Sequence, residues 1–409
     1  MNDEVKAEAG FHSSFIVPTS SFFRKGKLKV MFDRIRFVRV LSFILAVSVA
    51  FGGALAGVRA QQQESATSQQ QPQQQPTPRP TPTRTDDTTT LDDDEIERVD
   101  TSLTNVIFSA IDRNKRFVTN LKQEDIRVLE DGVPQQIFTF QTQIDLPLTL
   151  ALVIDTSISQ ERTLPEEKAA ARAFVDAVMR PSKDEVAVLS FTGDSTLEQG
   201  LTGNATRVRS AIERVEFVPP SGYIGRGVTV GGTPPISGDN QSTAGSTAIW
   251  DAVYATCHEV MVESSDKTRR AIVLLTDGED TSSMLKLDEA VQEALKTDTL
   301  VFAIGIGDSF GYSGVDEGSL RKITERTGGR AYFPRSEEDL RVAFAQIQRE
   351  LREQFLVAYS PTNKRRDGSY RKLQIEVVNP ELRKQNVKLN YRQGYFAKND
   401  SAPASRRRK

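Results

Sequence analysis

Short apolar runs alternate with amphipathic stretches through the middle of the chain. The runs Ala271–Thr276 (AIVLLT) and Leu300–Ile306 (LVFAIGI) contain no charged residue, which is typical of parallel strands buried on both faces. The stretches between such runs space their apolar residues as helices do. Over residues 148–353 we therefore predict an α/β architecture, a doubly wound, mostly parallel six-stranded sheet flanked by helices.

The alternation also sets the expected element boundaries. Strands are predicted at 148–154, 186–192, 196–201, 270–276, 299–306 and 330–333, and helices at 164–180, 204–215, 247–263, 286–297, 318–327 and 336–353. In open sheets of this class, ligands bind beyond the carboxyl ends of the strands. Residues that directly follow a predicted strand are therefore the first candidates for a site.

The segments on either side of this region read as antiparallel strands. Residues 96–147 and 354–398 alternate polar and apolar positions, and the stretch EDGVP at residues 130–134 is typical of a turn between two strands. Neither segment is long enough to bury a sufficient core alone. We predict that the two pair into one small β-sandwich, with the α/β region inserted between them.

The amino-terminal part has the pattern of a secretory signal peptide over residues 1–60. A basic stretch (RIRFVR) precedes an apolar run (VLSFILAVSVAFGGALAG) and a small-x-small end (VRA), which predicts cleavage after Ala60 and export to the periplasm or the extracellular space. A start at Met31 would give a signal peptide of ordinary length, and the alternative is an uncleaved membrane anchor.

Residues 61–95 are rich in Gln, Pro and Thr and are predicted to be a disordered linker. Residues 399–409 are predicted to be a basic tail.

Charge and cysteine content exclude several classes of function. Residues 61–409 carry 44 Lys/Arg and 51 Asp/Glu, a net charge of −7, which argues against a nucleic-acid or anionic-membrane surface. We expect no membrane span in the mature chain. The single cysteine, Cys257, cannot form an intramolecular disulfide, and with only two histidines the chain lacks the residues of a Cys-based zinc site.

Three oxygen-rich positions follow or adjoin the predicted strands. Asp155, Ser157 and Ser159 come after LTLALVI, Asp277 comes after AIVLLT, and Thr247 lies in GSTAIWDAV at the start of a predicted helix. Carboxylates and hydroxyls without thiolates or imidazoles are ligands for a hard cation, which indicates Mg²⁺, Mn²⁺ or Ca²⁺.

The pattern D-x-S-x-S, a distant Thr and a TDG sequence resembles the metal-ion-dependent adhesion site of von Willebrand factor type A (VWA) domains. The neighbouring VAVLSFTGD and LVFAIGIG also resemble that family, and the outer segments resemble an exported bacterial group that carries the domain. The resemblance implies a Rossmann-like VWA fold over 148–353. It implies that Ser157, Ser159 and Thr247 coordinate the cation directly or through water, and that Asp155 and Asp277 hold it directly or through bound water.

The same resemblance implies a function. A cation held mainly by neutral hydroxyls stays electrophilic, and an open coordination position would take an Asp or Glu carboxylate from a protein partner. We therefore predict an exported, adhesion-type protein-binding module that uses a divalent cation, Mg²⁺ first, and is not an enzyme.

Two features depart from the simple family pattern. Ile158 stands where the family usually has Gly between the two serines, so we expect either a different loop path or an apolar contact beside the metal. The Gly/Pro-rich stretch Val218–Gly245 is long for such a connection and ends near Thr247. We hypothesise that it sets partner choice through Tyr223 and Arg226, the alternative being an insertion of no importance.

Two other functions remain as alternatives. A metal-assisted hydrolase could use Asp155 and Asp277, but it needs a general base, for which Glu279, Asp280 and Asp194 are the nearby candidates. The third possibility is a scaffold with a degenerate site that acts in assembling an envelope complex.

Overall fold

The computed structural model describes residues 103–142, 145–220, 223–225, 228–229, 245–265, 267–307, 310 and 314–399. The predictions for the signal segment, the linker, most of the basic tail and Arg226 fall outside these ranges. Among the described residues, no helix is both long enough and apolar enough to cross a membrane.

Sixteen strands lie within the described ranges. They are β1 (Thr104–Ile111), β2 (Ile126–Glu130), β3 (Val133–Gln135), β4 (Ile137–Thr142), β5 (Leu148–Asp155), β6 (Glu185–Phe191), β7 (Ser195–Thr202), β8 (Tyr223–Gly225), β9 (Val228–Thr229), β10 (Arg269–Thr276), β11 (Thr299–Gly305), β12 (Ala331–Tyr332), β13 (Phe355–Tyr359), β14 (Tyr370–Val377), β15 (Lys388–Tyr391) and β16 (Gly394–Phe396).

The described helices connect these strands. They are α1 (Leu164–Val178), α2 (Ala205–Arg214), α3 (Ile249–Ala255), α4 (Leu287–Lys296), α5 (Glu317–Thr327), α6 (Glu337–Arg352) and α7 (Pro380–Lys384). Helix α3 runs on through a π turn at Thr256–Val260 and a 3₁₀ turn at Met261–Glu263.

Six strands form the central sheet, in the order β12-β11-β10-β5-β6-β7. Strand β7 is antiparallel to β6, and the other pairs are parallel. Every residue of β5 and of β11 is buried. These strands can be apolar throughout because helices α1, α2 and α6 cover one face of the sheet and α3, α4 and α5 cover the other.

The flanking segments form two antiparallel four-stranded sheets, ordered β15-β1-β13-β4 and β16-β14-β2-β3. Strand β1 from the amino-terminal side lies between β13 and β15 from the carboxyl-terminal side, and β2 pairs with β14. The two sheets share one apolar core, which includes Val106, Phe108, Val128, Val357 and Leu373. Each flanking segment thus supplies strands that the other needs.

A buried ion pair lies in the core of these flanking sheets. Glu130 and Arg371 are each 2% exposed, and Arg371 Nη1 donates to Glu130 Oε1 at 3.0 Å. The hydroxyls of Tyr359 and Tyr395 both donate to Glu130 Oε2 at 2.8 Å. Both oxygens of this buried carboxylate are therefore satisfied, and one of them has a cationic partner.

Glu350 joins the central sheet to the flanking sheets. It lies on α6 and is 1% exposed. Ser109 of β1 donates to it at 2.6 Å, Asn390 of β15 at 3.1 Å and Tyr332 of β12 at 3.2 Å. Arg330 forms an ion pair with it at 3.4 Å. This second buried carboxylate is also fully engaged.

The predicted fold class is confirmed, including the pairing of the flanking segments into their own sheets. The main difference concerns the helix predicted at 247–263. It begins at Ile249 instead, because the backbone of Thr247 is bonded to a neighbouring loop and cannot enter the helix. The strand predicted at 330–333 is shortened to Ala331–Tyr332.

The turn predicted at residues 130–134 is a hairpin centred on Asp131-Gly132. Asp131 has φ 50° and Gly132 has φ 81°, so both central residues lie in the left-handed region that a tight two-residue hairpin requires. The turn fixes the register in which β2 pairs with β3.

Candidate metal centre

The central sheet brings the two predicted carboxylates together at one edge. Asp155 is the last residue of β5 and Asp277 directly follows β10, and these two parallel strands are neighbours in which Ile154 pairs with Leu275. Asp155 is 0% exposed and Asp277 is 4% exposed. Two acids that lie far apart in sequence are thus buried next to each other at the carboxyl ends of the strands.

The loop after Asp155 presents the two serines. Asp155 Oδ1 accepts a hydrogen bond from the backbone N–H of Ser157 at 2.9 Å, and the Ser157 and Ser159 hydroxyl oxygens are 3.1 Å apart. Gln160, which is fully buried, donates to the carbonyl of Ile306 at 3.1 Å. The loop is thereby fixed to the end of β11 with both hydroxyls on the same side.

Ile158 fits this loop without strain. It begins a 3₁₀ turn, Ile158–Gln160, whose right-handed backbone is open to any L-residue. Its side chain packs against the end of the 218–245 stretch, since a Cβ added to Gly245 would lie 2.9 Å from Ile158 Cδ1 and 3.0 Å from Pro220 Cγ. Gly245 has φ +85°, so glycine suits this position both by its backbone angle and by the lack of space.

The Thr247 loop is held against the Asp277 loop by backbone bonds. The Thr247 N–H donates to Thr281 Oγ1 at 2.8 Å, and its carbonyl accepts from Thr281 N at 2.9 Å and Ser282 N at 3.0 Å. Thr247 is 5% exposed, and its hydroxyl makes no hydrogen bond within the described part of the chain. The structure therefore fixes Thr247 against the loop that follows Asp277, and its hydroxyl oxygen has no partner among the described residues.

The electrostatics of the two carboxylates are unfavourable without a counter-charge. Burial, and then the neighbouring Asp277, raise the pKa of Asp155 to about 7. Burial likewise raises the pKa of Asp277, against which the Ser159 hydroxyl and the Glu279 N–H act. No lysine or arginine among the described residues forms an ion pair with either acid. A divalent cation would supply the missing positive charge, so the residues present fit one.

The donor set is poor in carboxylates. Among the residues that the structure describes, no cluster of three or more His, Cys, Asp or Glu side chains could hold a metal ion. A cation at this edge would depend on hydroxyl oxygens in addition to Asp155 and Asp277. Oxygen-only ligands suit hard cations better than Zn²⁺, which usually takes nitrogen or sulfur.

Sequence reasoning missed two residues of this site. Thr276, the last residue of β10, donates from its hydroxyl to Asp155 Oδ2 at 2.6 Å and is fully buried. Glu167 on α1 is also 0% exposed, and neither of its carboxylate oxygens has a hydrogen-bond partner in the described structure. Burial raises the pKa of Glu167 to about 8, and the charges of Asp155, Glu166 and Asp277 add to this effect. The nearby Thr163 hydroxyl acts against it, although its own hydrogen bond goes to Gln160 at 3.1 Å.

A signal for Glu167 was present in the sequence. Helix α1 buries Leu164, Glu167, Ala171 and Phe174, at the spacing of three and four residues that marks one helix face. An acid in that row stands where an apolar residue is expected. It is the kind of buried polar group that needs a specific explanation.

The proposed hydrolase bases are placed unfavourably. Asp280 Oδ1 accepts from the N–H of Ile249 at 2.8 Å and from the Ser283 hydroxyl at 2.5 Å, so it caps the start of α3. Glu279 is exposed, and Asp194 lies in the turn between β6 and β7, where it too is exposed. None of the three is buried beside Asp155.

The family comparison agrees with the fold. Residues 236–349 match the von Willebrand factor type A domain. The chain carries a VWA domain. The matched range includes Thr247 and Asp277, whereas the Asp155 loop precedes it in sequence and joins it through the sheet. VWA domains are typically metal-dependent protein-interaction modules and are generally not enzymes, and they usually bind a divalent cation at their adhesion site.

Several solved structures are similar to this chain. A VWA protein from Catenulispora acidiphila is 12% identical, with 74% of this chain and 76% of that one covered and a TM-score of 0.40. Proximal thread matrix protein 1 from the mussel byssus, with a zinc-occupied MIDAS motif, is 19% identical over 55% of this chain and 50% of that one, with a TM-score of 0.40.

The conserved hypothetical protein BatB from Bacteroides thetaiotaomicron is 18% identical over 50% of this chain and 98% of that one, with a TM-score of 0.36. No curated protein matches the sequence. Identities and TM-scores this low support no inference about function.

Proposed function

We propose that the VWA domain binds one divalent cation, Mg²⁺ in the first place, through Asp155, Ser157, Ser159, Thr247 and Asp277, and that it uses this cation to bind the carboxylate of a protein partner. Mn²⁺ and Ca²⁺ are the alternative cations. The observation that carries the proposal is the pair of buried, adjacent carboxylates without a cationic side chain, next to two hydroxyls 3.1 Å apart.

The residues have separate parts in this proposal. Asp155 and Asp277 neutralise the cation, and the Thr276 hydroxyl fixes one oxygen of Asp155. The serine and threonine hydroxyls supply neutral oxygens, which leave the cation electrophilic. When bound, the cation would supply a Lewis-acidic position for an outside Asp or Glu side chain. Binding of this kind requires no general base, which agrees with the capping role of Asp280.

Calorimetric titration of the purified, metal-free protein with MgCl₂ and MnCl₂ tests the cation site. We expect saturable uptake of one ion, lost in Asp155→Asn and kept in Asp194→Asn, a matched control whose exposed carboxylate lies in the β6–β7 turn. The absence of uptake by the wild-type protein would overturn the proposal.

Water-proton relaxation of the Mn²⁺-loaded protein tests the carboxylate ligand. Addition of glutarate should lower the relaxivity, because a carboxylate that enters the open position displaces a bound water. Glutaramide, which has the same length but no charge, is the control. Equal effects of the two compounds would contradict a carboxylate-binding role.

We propose further that the 218–245 stretch takes part in partner choice. Tyr223 donates a hydrogen bond to Glu161, in the loop that begins at Asp155, and Gly245 lies against both Ile158 and Pro220. These contacts hold Tyr223 and Gly245 against the loop that carries the two serines. Binding of a library of Asp-containing peptides to the Mg²⁺-loaded protein should change its sequence preference in Tyr223→Ala, while Mg²⁺ affinity stays the same. An unchanged preference would contradict this role.

The cellular location is also a proposal. We propose that the chain is exported and cleaved after Ala60, on the strength of its apolar run with basic and small flanking residues. Amino-terminal sequencing of the secreted or periplasmic protein should begin at Gln61. A full-length, cytoplasmic product would contradict it.

A further inference from the structure

A cavity of about 310 Å³ lies at the opposite edge of the central sheet from the metal centre. It is bordered by Leu295, Lys296 and Asp298, which precede the amino end of β11, and by residues of the flanking sheets and the loop before β14. We call it the basic cavity, because seven cationic side chains and one carboxylate line it. The cationic residues are Lys296, Lys364, Arg365, Arg366, Arg371, Arg392 and Lys398.

Some of this positive charge is already paired. Arg371 is bonded to Glu130 at 3.0 Å, Arg392 is bonded to Asp298, and Lys296 lies 3.1 Å from Glu293. These pairs fix the two guanidinium groups within the wall of the cavity. Asp298, the one carboxylate among the lining residues, is the partner of Arg392 and is therefore already paired.

Arg366 is engaged as well, and three further cations of the lining lie outside these pairs. Lys364, Arg365 and Lys398 are exposed, and none forms an ion pair with a described residue. Lys364 Nζ donates only to the neutral Ser360 hydroxyl, at 2.7 Å. Three cations therefore lie around one opening without an ion-pair partner among the residues that the structure describes.

The buried guanidinium groups also lack acceptors for some of their N–H groups. The Nε atoms of Arg371 and Arg392 are both buried and without a hydrogen-bond partner in the described structure. The two side chains are 2% and 9% exposed. Positive charge held in low-dielectric walls around a concave opening attracts anions more strongly than the same charge spread over a convex surface.

The local charge contrasts with that of residues 61–409, which together carry a net charge of −7. A basic cavity within an acidic protein cannot be explained as part of a generally basic surface. Its volume, at the lower end of the range of about 300–1,000 Å³ for small-molecule sites, suits a compact ligand better than a nucleic-acid duplex.

We propose that the basic cavity binds a small, multiply charged phosphate group, such as that of an organic phosphate or pyrophosphate. Arginine suits this ligand because its planar fork of N–H groups matches phosphate oxygens, and several unpaired cations favour a dianion over a single carboxylate. The site is independent of the proposed cation site, because it lies at the other edge of the sheet and uses none of its residues.

Calorimetric titration with inorganic pyrophosphate, in a metal-free buffer of low ionic strength, tests the proposal. We expect saturable binding to the wild-type protein, unchanged in Asp155→Asn. The double variant Lys364→Gln/Arg365→Gln should bind about tenfold or more weakly, because it loses two charge-assisted contacts. Both side chains are exposed, so the variant should keep the wild-type thermal unfolding midpoint.

The matched control is Arg127→Gln/Lys388→Gln. These two cations are also exposed on strands of the flanking sheets but do not line the cavity. The control removes the same net charge, and we expect it to keep wild-type affinity at the same salt concentration. An equal loss in both double variants, or no saturable binding by the wild-type protein, would overturn the proposal.

A second arm separates the sources of the phosphate. Vesicles of phosphatidylcholine with and without phosphatidylglycerol are compared with free glycerol phosphate. Binding of free glycerol phosphate indicates a soluble ligand, and binding of the anionic vesicles through Lys364 and Arg365 indicates a lipid headgroup. Binding of vesicles or of single-stranded DNA without any binding of pyrophosphate would instead indicate a diffuse polyanion surface and refute the cavity.

Discussion

Two groups of buried acids in this protein have opposite surroundings. In and beside the flanking sheets, Glu130 has Arg371 and two tyrosine hydroxyls, and Glu350 has Arg330 and three neutral donors. At the carboxyl edge of the central sheet, Asp155 and Asp277 have only neutral donors, and Glu167 has no hydrogen-bond partner in the described structure.

We interpret the difference as separating acids that the fold itself neutralises from acids that the proposed cation would neutralise. A buried carboxylate with a cation and full hydrogen bonding needs nothing from outside the chain. A group of buried carboxylates without a cation raises the free energy of the folded state, and that cost is relieved when an external cation binds. The unsatisfied group lies at the edge of the sheet where we propose that a cation binds.

The largest effect is expected from removing a satisfied acid. Glu130→Ala leaves Arg371 buried without its counter-charge, which should destabilise the protein by about 3–5 kcal/mol. Urea unfolding measures this change. Glu124→Ala, at an exposed position close by in sequence, should change the free energy of unfolding by no more than about 0.5 kcal/mol. Equal losses of stability at Glu130 and Glu124 would mean that the buried ion pair of Glu130 does not stabilise the fold.

Replacing an unsatisfied acid should have the opposite sign. The pKa of Glu167 is about 8 in the folded protein, against an ordinary value of 4.5. A raised pKa contributes stability below pH 4.5 that is lost as the pH rises through 8. Glu167→Gln should therefore unfold like wild type near pH 4.5 and be more stable by on the order of 3 kcal/mol at pH 8.

Urea unfolding of the metal-free proteins at both pH values checks this expectation. Glu185→Gln, at an exposed position at the start of β6, is the control and should show no such pH-dependent gain. A Glu167→Gln protein that is less stable than wild type at pH 8 would mean that the carboxylate has a partner after all.

Cation binding should stabilise the folded state. At a free Mg²⁺ concentration of 100 times Kd, the gain in the free energy of unfolding is about 2.7 kcal/mol. Thermal unfolding with and without Mg²⁺ measures it, and Asp155→Asn should abolish it. Stabilisation that persists in Asp155→Asn would place the cation elsewhere in the protein.

The smallest effect concerns the orientation of Asp155. Thr276→Val removes the hydroxyl that donates to Asp155 Oδ2 and should weaken Mg²⁺ binding about tenfold, or about 1.4 kcal/mol. Thr149→Val is the matched control, because Thr149 is also buried in the central sheet but lies near the other end of β5. Calorimetry should give the control wild-type affinity for Mg²⁺.

The local pattern of apolar and polar residues was sufficient to predict the strands of the central sheet and the positions of Asp155 and Asp277 at their ends. A strand buried on both faces needs an uninterrupted apolar run, and the first acid after such a run stands at the carboxyl edge of the sheet, as Asp155 and Asp277 do. The order of the strands brought these two acids together. Their roles as metal ligands remain a prediction.

Other features depended on contacts between segments that are distant along the chain. Thr247 stays outside its helix because its backbone bonds to Thr281, thirty-four residues away. The basic cavity is formed by the turn before β11 and by residues of the flanking sheets and their loops. These segments lie far apart along the chain.

The amino-acid order alone was enough to specify the strands, the helices and the acids at the strand ends, because periodicity and chain direction decide them within a few residues. Only the folded chain decided which buried acids have a cationic partner. Glu130 and Arg371 are 241 residues apart along the chain, and whether a charge is neutralised depends on distance in space and on burial.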